Sequence, residues 1–270
     1  MLRAVLVDRQ AKKIEAQTVP SNLFRELLDS MDRALVALGS AVPEPSAVPF
    51  KDSYVYRHVE KLPEQAILQK LVRLPSGLRA TQLLLNAGFF QEQAALQRLV
   101  DEIGEDVIFL SIPILYGGVQ PIHEEYLEYF FAEEFDLATG LSTSQDRPMV
   151  RRKKIRAYIA QSPIGGADPS SHIEAARIVN KTYSGFVHAA SPQIMEMYGG
   201  NPPRFHTNGM LGTEREPEHR RDIANYYFRS ITAFTVAARA LRHQPQFNIL
   251  FALGQKYGEA MGLGEGRRVG

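Results

Sequence analysis

The apolar and polar positions along the chain recur mostly with the period of an α-helix. In the first predicted helix, Leu23, Leu27 and Met31 follow one another at steps of four residues, which places them on one buried face. Ser21 suits the N-cap of this helix, and Gly39 is expected to end it. Helix-like segments far outnumber strand-like ones and do not alternate with them, so the sequence predicts an all-α fold: a helical bundle with a long irregular loop.

Strand-like patterning is confined to the N-terminus. Residues 2–7 and 12–19 are able to pair as a short N-terminal β-hairpin. Residues 42–49 contain three prolines in eight positions, which is typical of a linker or an ordered arm. We therefore divide the chain into an N-terminal extension, residues 1–50, and a helical domain, residues 51–265.

Proline and glycine set the predicted ends of the remaining helices. The segment from Pro75 to Gly77 is expected to stop a helix that begins near Glu64. Residues 78–110 then form one long helix or two abutting ones, and residues 199–217 form the long irregular loop. Further helices are predicted over residues 123–137, 149–160, 171–190, 218–242 and 247–261.

Composition narrows the class of protein. The chain has 270 residues, a formal net charge of +1 and no cysteine. Such a small charge gives no global attraction to nucleic acid or to a membrane. The lack of cysteine excludes disulfides, thiolate metal sites and cysteine nucleophiles, and it favours a cytoplasmic protein. No apolar run approaches the roughly 18 residues of a membrane span, so we expect no membrane contact.

One predicted helix carries a chemically coherent face. Within residues 171–190, Arg177, Lys181, Ser184 and His188 are spaced by four, three and four positions, which places all four side chains on one side of the helix. Together they are able to bind a phosphate and to transfer a proton near neutral pH. The alternative is a solvated helix face with one hydrogen-bonded histidine.

A resemblance to a known group of proteins adds to this interpretation. Residues 180–192, which include His188, resemble the Tyr-x-x-x-Ser/Val-His region of a class of bacterial helical proteins close to the HEPN superfamily. Residues 77–110 are similar to the first long helix of that class, and residues 123–136 to its next, acidic helix. As a pattern of helices, the resemblance covers residues 60–245.

The resemblance implies a helical protein that binds RNA or a nucleotide, in some members as a metal-independent ribonuclease. It implies His188, Lys181 and Ser184 as the catalytic group, with Arg177 and Tyr183 contacting the ligand. In active HEPN ribonucleases an arginine precedes the histidine at a short distance. Here Lys181 stands at that distance before His188, but a lysine cannot form the two parallel hydrogen bonds that an arginine makes to a phosphate. We therefore expect degenerate ribonuclease activity or none. The alternative function is a catalytically silent protein-interaction module that forms a homodimer.

Two further groups of residues are candidates for binding an anionic ligand. The basic helix supplies Arg151, Arg152, Lys153 and Lys154, which suit phosphate contacts but equally suit pairing with the acidic helix upstream. The loop and the helix start after it supply a second set, as expected of an anion site at a helix N-terminus: Arg204, His206, Arg220 and Arg221.

Metal chemistry has little support in the sequence. A di-iron bundle needs Glu-x-x-His motifs from two helices, and only the stretch from Glu216 to His219 has that form. We therefore expect no metal and no cofactor.

Overall fold

The computed structural model describes residues 21–143, 149–164 and 181–262, and the fold over these ranges is mostly helical, which confirms the predicted fold class. The hairpin predicted within residues 2–19 lies outside the described residues. In chain order the helices are α1 (Ser21–Gly39), α2 (Pro63–Ala87), α3 (Phe90–Tyr116), α4 (Pro121–Phe130), α5 (Arg152–Gln161), α6 (described over residues 181–187), α7 (Ser191–Met195), α8 (Glu216–Ala240) and α9 (Gln244–Ala260). Two short hairpins accompany them, β1 (Ser46–Phe50) with β2 (Ser53–Arg57), and β3 (Tyr198–Gly199) with β4 (Arg204–Phe205).

The first helix has the predicted boundaries and the predicted buried face. Leu27 and Met31 are completely buried, and Leu23 is nearly so. α1 packs against α2, α8 and α9, so this part of the N-terminal extension shares one core with the rest of the described chain. Burying each such side chain contributes roughly 1.5–3 kcal/mol.

The predicted stop at Pro75 is wrong, because α2 continues through it to Ala87. Proline inside a helix costs about 3 kcal/mol. Leu71, Leu74 and Leu78, on both sides of the proline, are completely buried, and this packing outweighs the cost. The helix ends instead before Gly88, whose φ of +80° is a left-handed conformation that favours glycine.

The proline-rich segment after α1 is an ordered arm rather than a linker. Its residues form β1, which pairs antiparallel with β2 and places Val48 opposite Val55. Proline is tolerated because a two-stranded hairpin consists entirely of edge strands. Arg57 fastens the hairpin to the segment after α4, donating from Nε and Nη2 to the two carboxylate oxygens of Glu133 at 2.5 and 2.9 Å.

The three longest described helices, α2, α3 and α8, pack against one another at the centre of the bundle. α3 and α8 run in the same direction, since Phe90 stacks on His219 near their starts and Gly104 lies beside Ala233 further along. α9 follows α8 after residues 241–243 and folds back along it. None of the helices in the described ranges is long and apolar enough to cross a membrane.

The acidic helix is shorter than the predicted 123–137, because α4 ends at Phe130. Beyond it, the Asp136 carboxylate accepts hydrogen bonds from the backbone N–H groups of Ala138 and Thr139 at 3.1 and 2.7 Å. Aspartate competes in this way with helical hydrogen bonding and favours turns.

Candidate functional site

The face predicted on the helix before residue 190 is at the surface where the structure describes it. Lys181 and His188 are exposed and Ser184 is half-buried, whereas Arg177 lies outside the described residues. The side chains of these three described residues form no hydrogen bond or ion pair with other described residues. Among the described residues, this face therefore has no partner that would orient it for catalysis.

Tyr183 has a different role from its neighbours. Its hydroxyl donates to Asp222 Oδ2 at 2.7 Å, and its ring packs edge-on against Tyr226 at 5.5 Å. Burial and the nearby Asp222 carboxylate raise the pKa of Tyr183. Tyr183 thus attaches α6 to α8.

The basic helix α5 divides into inward and outward residues. Arg152 donates to both carboxylate oxygens of Asp106, at 2.5 and 2.9 Å, and is therefore engaged within the protein. Arg151, Lys153 and Lys154 are exposed. Of the four basic residues predicted here as phosphate contacts, three are therefore exposed, whereas Arg152 is not.

The loop candidates are likewise divided. The Nε2 atom of His206 lies 3.2 Å from the carbonyl oxygen of Gly199, and Arg220 Nε donates to Glu216 Oε1 at 2.7 Å. Arg204 and Arg221 are exposed. Within the described ranges, no hydrogen bond, ion pair or ring contact joins this loop set to the His188 face or to α5.

His219, from the partial metal motif, is buried as a structural residue. Its ring stacks on Phe90 at 4.9 Å, and its Nδ1 lies 3.1 Å from Gln93 Oε1. Burial lowers the pKa of His219 and favours the neutral ring. Across the described residues, no group of three or more histidine, aspartate or glutamate side chains is placed to hold a metal ion.

One concave feature of the described chain was not predicted from the sequence. A cavity of about 430 Å³ lies between α3, α8 and α9, with Ile159 of α5 contributing to its wall. Its lining is mainly apolar, as with Ile108, Phe228 and Phe247. Its volume is within the range of roughly 300–1,000 Å³ that is typical of small-molecule pockets.

One end of this cavity carries two pairs of opposite charges, which we call the polar end. Arg229 Nη1 donates to Asp101 Oδ1 at 2.7 Å, which joins α8 to α3. Arg156 Nε donates to Glu105 Oε1 at 2.7 Å, which joins α5 to α3. Two carboxyl groups and two guanidinium groups therefore meet here, and their charges balance when both carboxyl groups are ionised.

Among the residues that line the cavity, three described polar atoms have no hydrogen-bond partner and are buried from the cavity as well as from solvent: Glu105 Oε2, Arg229 Nε and Ser230 Oγ. Ser230 is only 2% exposed. The other two Ser or Thr hydroxyls of α8 also line the cavity, but Thr232 and Thr235 donate to carbonyl oxygens of their own helix at 2.9 and 2.8 Å. Further buried atoms without a partner lie away from the cavity, for example on Gln97 and Tyr227, so these atoms do not by themselves indicate a ligand.

The charge on Glu105 is sensitive to pH near neutrality. Burial, together with the neighbouring Asp101 carboxylate, raises the pKa of Glu105 to about 7 and outweighs the opposing effect of Arg156. Asp106, the next residue, behaves differently. Burial alone would raise its pKa, but the hydrogen bonds and charges of Arg152 and Lys70 lower it overall.

The sequence contains a signal for this region that patterning alone does not interpret. Asp101, Glu105 and Asp106 alternate with the apolar residues in the middle of α3, and Arg229 lies between the apolar residues in the middle of α8. Charged residues on a buried helix face require partners or function. Only the packing of α3 against α5 and α8 shows which of these charged side chains have a hydrogen-bond partner for every polar atom and which do not.

Fold and site together define this chain as an all-helical bundle with an interior cavity of small-molecule size. In comparisons with protein-family models, with curated proteins and with solved structures, the chain gives no match.

Proposed function

We propose that this protein binds a small, mainly apolar molecule in the cavity between α3, α8 and α9. The observation that carries the proposal is a mainly apolar cavity of about 430 Å³ whose lining includes a few charged residues, such as Asp101 and Arg156. Apolar walls with a few placed polar groups are the general form of a ligand site. Binding would remove apolar surface from water.

The cavity also has a side from which a ligand could enter. Tyr116, Arg239 and Phe251 line it and are exposed, so they mark where it meets solvent; we call them the mouth. Because α3 and α8 run in the same direction, Tyr116 and Arg239 lie at the end away from Asp101 and Arg229. The ten residue-to-residue steps of α8 from Arg229 to Arg239 span about 15 Å at a rise of 1.5 Å per residue.

The test is equilibrium binding of the neutral fluorescent probe N-phenyl-1-naphthylamine, whose emission rises in apolar surroundings. Wild type is expected to bind it saturably with one site per chain. Thr235→Phe places a ring in the cavity and gives up only a hydroxyl already bonded within α8, so we expect at least tenfold weaker binding. Val36→Phe adds the same ring on the exposed side of α1, where Val36 is 79% exposed, and should bind as wild type does. Absence of saturable binding to wild type, or equal binding by Thr235→Phe, would overturn the proposal.

A second function, binding of RNA or a nucleotide, follows from the HEPN resemblance and is supported by a separate surface. Arg151, Lys153 and Lys154 are exposed on α5 and form no ion pair with other described residues. Three cations on one short helix suit contacts to a phosphate backbone, with an affinity that falls as salt rises.

The experiment for this second function is single-stranded RNA binding over a series of salt concentrations. Changing Arg151, Lys153 and Lys154 together to Gln should weaken binding and reduce the slope of log affinity against log salt by about 2. The matched control, Arg25→Gln with Arg33→Gln, neutralises two exposed cations on α1 and should leave the slope unchanged. Metal-free cleavage that is lost in His188→Ala would add a ribonuclease activity. No RNA binding by wild type would favour the protein-interaction module instead.

A further inference from the structure

The charged residues that line the cavity carry an excess of positive charge. Among the described lining residues are three arginines, Arg156, Arg229 and Arg239, and two acidic residues, Asp101 and Glu105. Both acidic residues lie at the polar end, where Asp101 accepts a hydrogen bond from Arg229, and Glu105 accepts one from Arg156. The remaining cation is Arg239, which lies at the mouth.

Arg239 is placed at the mouth by an aromatic contact. Its guanidinium carbon lies 5.3 Å from the centre of the Phe247 ring, and that ring stacks on Phe251 at 5.7 Å. Both phenylalanines line the cavity. Within the described ranges, the Arg239 side chain forms no hydrogen bond or ion pair. Its N–H donors are therefore open to solvent and to a ligand that enters the mouth.

The two ends of the cavity suit two different parts of a ligand. α8 rises about 15 Å between Arg229 and Arg239, so the acidic residues paired at the polar end lie away from the mouth. Between the two ends the wall is mainly apolar, as with Ile108 and Val236. Arg239 is exposed, so an anion beside it keeps part of its hydration and avoids the full cost of burying a charge.

We infer that the ligand is a singly charged organic acid with an apolar body, whose carboxylate pairs with Arg239 at the mouth while the body occupies the cavity. This inference rests on the proposed cavity-binding function and specifies its ligand class. The planar guanidinium of an arginine matches a carboxylate, to which it donates two parallel hydrogen bonds. The apolar body contributes to binding through its removal from water, whereas the charge at the mouth decides which head group is preferred.

The test compares three ligands with an eight-carbon chain: octanoate, methyl octanoate and octylamine. Each is used to displace the naphthylamine probe from wild type at pH 8 and physiological salt. At this pH octanoate is an anion, octylamine is a cation and the ester is uncharged. We expect wild type to bind octanoate about fivefold more tightly than octylamine, because the mouth attracts one charge and repels the other on the modest scale of solvent-exposed ion pairs.

Variants at the exposed Arg239 identify the group responsible. Arg239→Gln removes the charge and should weaken octanoate binding about threefold while methyl octanoate binds as in wild type. Arg239→Glu should reverse the preference, so that octylamine binds more tightly than octanoate. The matched control is Arg242→Gln, which neutralises an exposed cation three residues further along the chain that does not line the cavity. It should leave the wild-type preference unchanged.

The outcomes separate this inference from the proposed function. If wild type binds neither the probe nor any of the three ligands, the proposed function fails and this inference fails with it. If the probe and the ester bind, but octanoate binds no more tightly than octylamine or is unaffected by Arg239→Gln, the cavity is a general apolar site and only the head-group inference is wrong. An equal loss in Arg242→Gln would overturn it too, as would octanoate binding that survives Thr235→Phe, since the anion would then bind outside the cavity.

Discussion

At the residue scale, this protein places charged groups inside a helical bundle and pairs them closely. Asp106 is fully buried and receives hydrogen bonds from Arg152 and Lys70, the latter at 2.9 Å. Breaking a buried pair from one side is costly because the remaining charge has lost both its partner and its hydration. The residues around Asp106 and Glu105 therefore control both stability and the chemistry of the cavity.

The variant Asp106→Ala is expected to lower the free energy of unfolding by about 3–5 kcal/mol, because it removes the buried carboxylate shared by two partly buried cations, Lys70 and Arg152. Urea unfolding monitored by circular dichroism measures the loss. Asp32→Ala is the matched control: it removes the partner of Arg79 from a pair in which both side chains are nearly half exposed, and should cost about 0–1 kcal/mol. Similar losses in the two variants would contradict the assigned role of Asp106.

Glu105 gives a pH dependence with a defined sign. Its pKa is about 7 in the folded protein, above the ordinary 4.5, so between these values the folded state holds a proton that the unfolded chain releases. The contribution of Glu105 to stability is therefore fully present below about pH 4.5 and is lost as pH rises toward 7. Over this window wild type should lose stability relative to Glu105→Gln, by up to about 1.4 kcal/mol per pH unit. Parallel stability curves for the two proteins would refute the raised pKa.

At the element scale, close helix packing decides where helices continue. α2 passes through Pro75 and brings Gly77 against α3, where a β-carbon at this position would lie 2.6 Å from Val100 Cγ2. A glycine that looks like a helix breaker in the sequence is instead the point of closest approach between two helices. The same residue type at Gly104 of α3 faces Ala233 at 3.9 Å, which is ordinary contact.

These two glycines provide a paired prediction. Gly77→Ala should destabilise the protein by about 1–3 kcal/mol, because the added methyl group overpacks the α2–α3 interface. Gly104→Ala should be neutral or stabilising by up to about 1 kcal/mol, because alanine is the better helix former and its methyl group has room. Chemical unfolding of both variants measures these changes, and equal destabilisation would show that the close approach to Val100 does not distinguish the two sites.

At the scale of the whole molecule, the cavity couples ligand binding to stability. A ligand that binds only the folded state stabilises it by about 2.7 kcal/mol at one hundred times its dissociation constant. For a chain of this size, such a gain should raise the melting temperature of wild type by about 5–10 °C. N-Phenyl-1-naphthylamine at that concentration should produce this rise in wild type and little change in Thr235→Phe, as measured by thermal unfolding. An equal rise in both proteins would place the binding elsewhere.

The periodicity of the chain was sufficient for the fold class and for most helices. α1 has its predicted limits at Ser21 and Gly39, and α8 and α9 begin within three residues of their predicted starts. These features are local, since a buried apolar stripe, a cap or a turn is encoded by residues near one another. Pro75 misled the prediction because its cost is local, whereas the packing that offsets it comes from α3.

The sequence by itself thus determined an all-helical chain and where its apolar faces lie. Only the tertiary structure decided which charged residues face inward, so that Arg152 binds Asp106 while Arg151, Lys153 and Lys154 remain exposed. It also decided that Glu105 of α3 and Arg229 of α8, which are far apart in the chain, line one cavity. A cavity forms between elements, and its shape depends on how α3, α8 and α9 pack, which no local pattern of residues specifies.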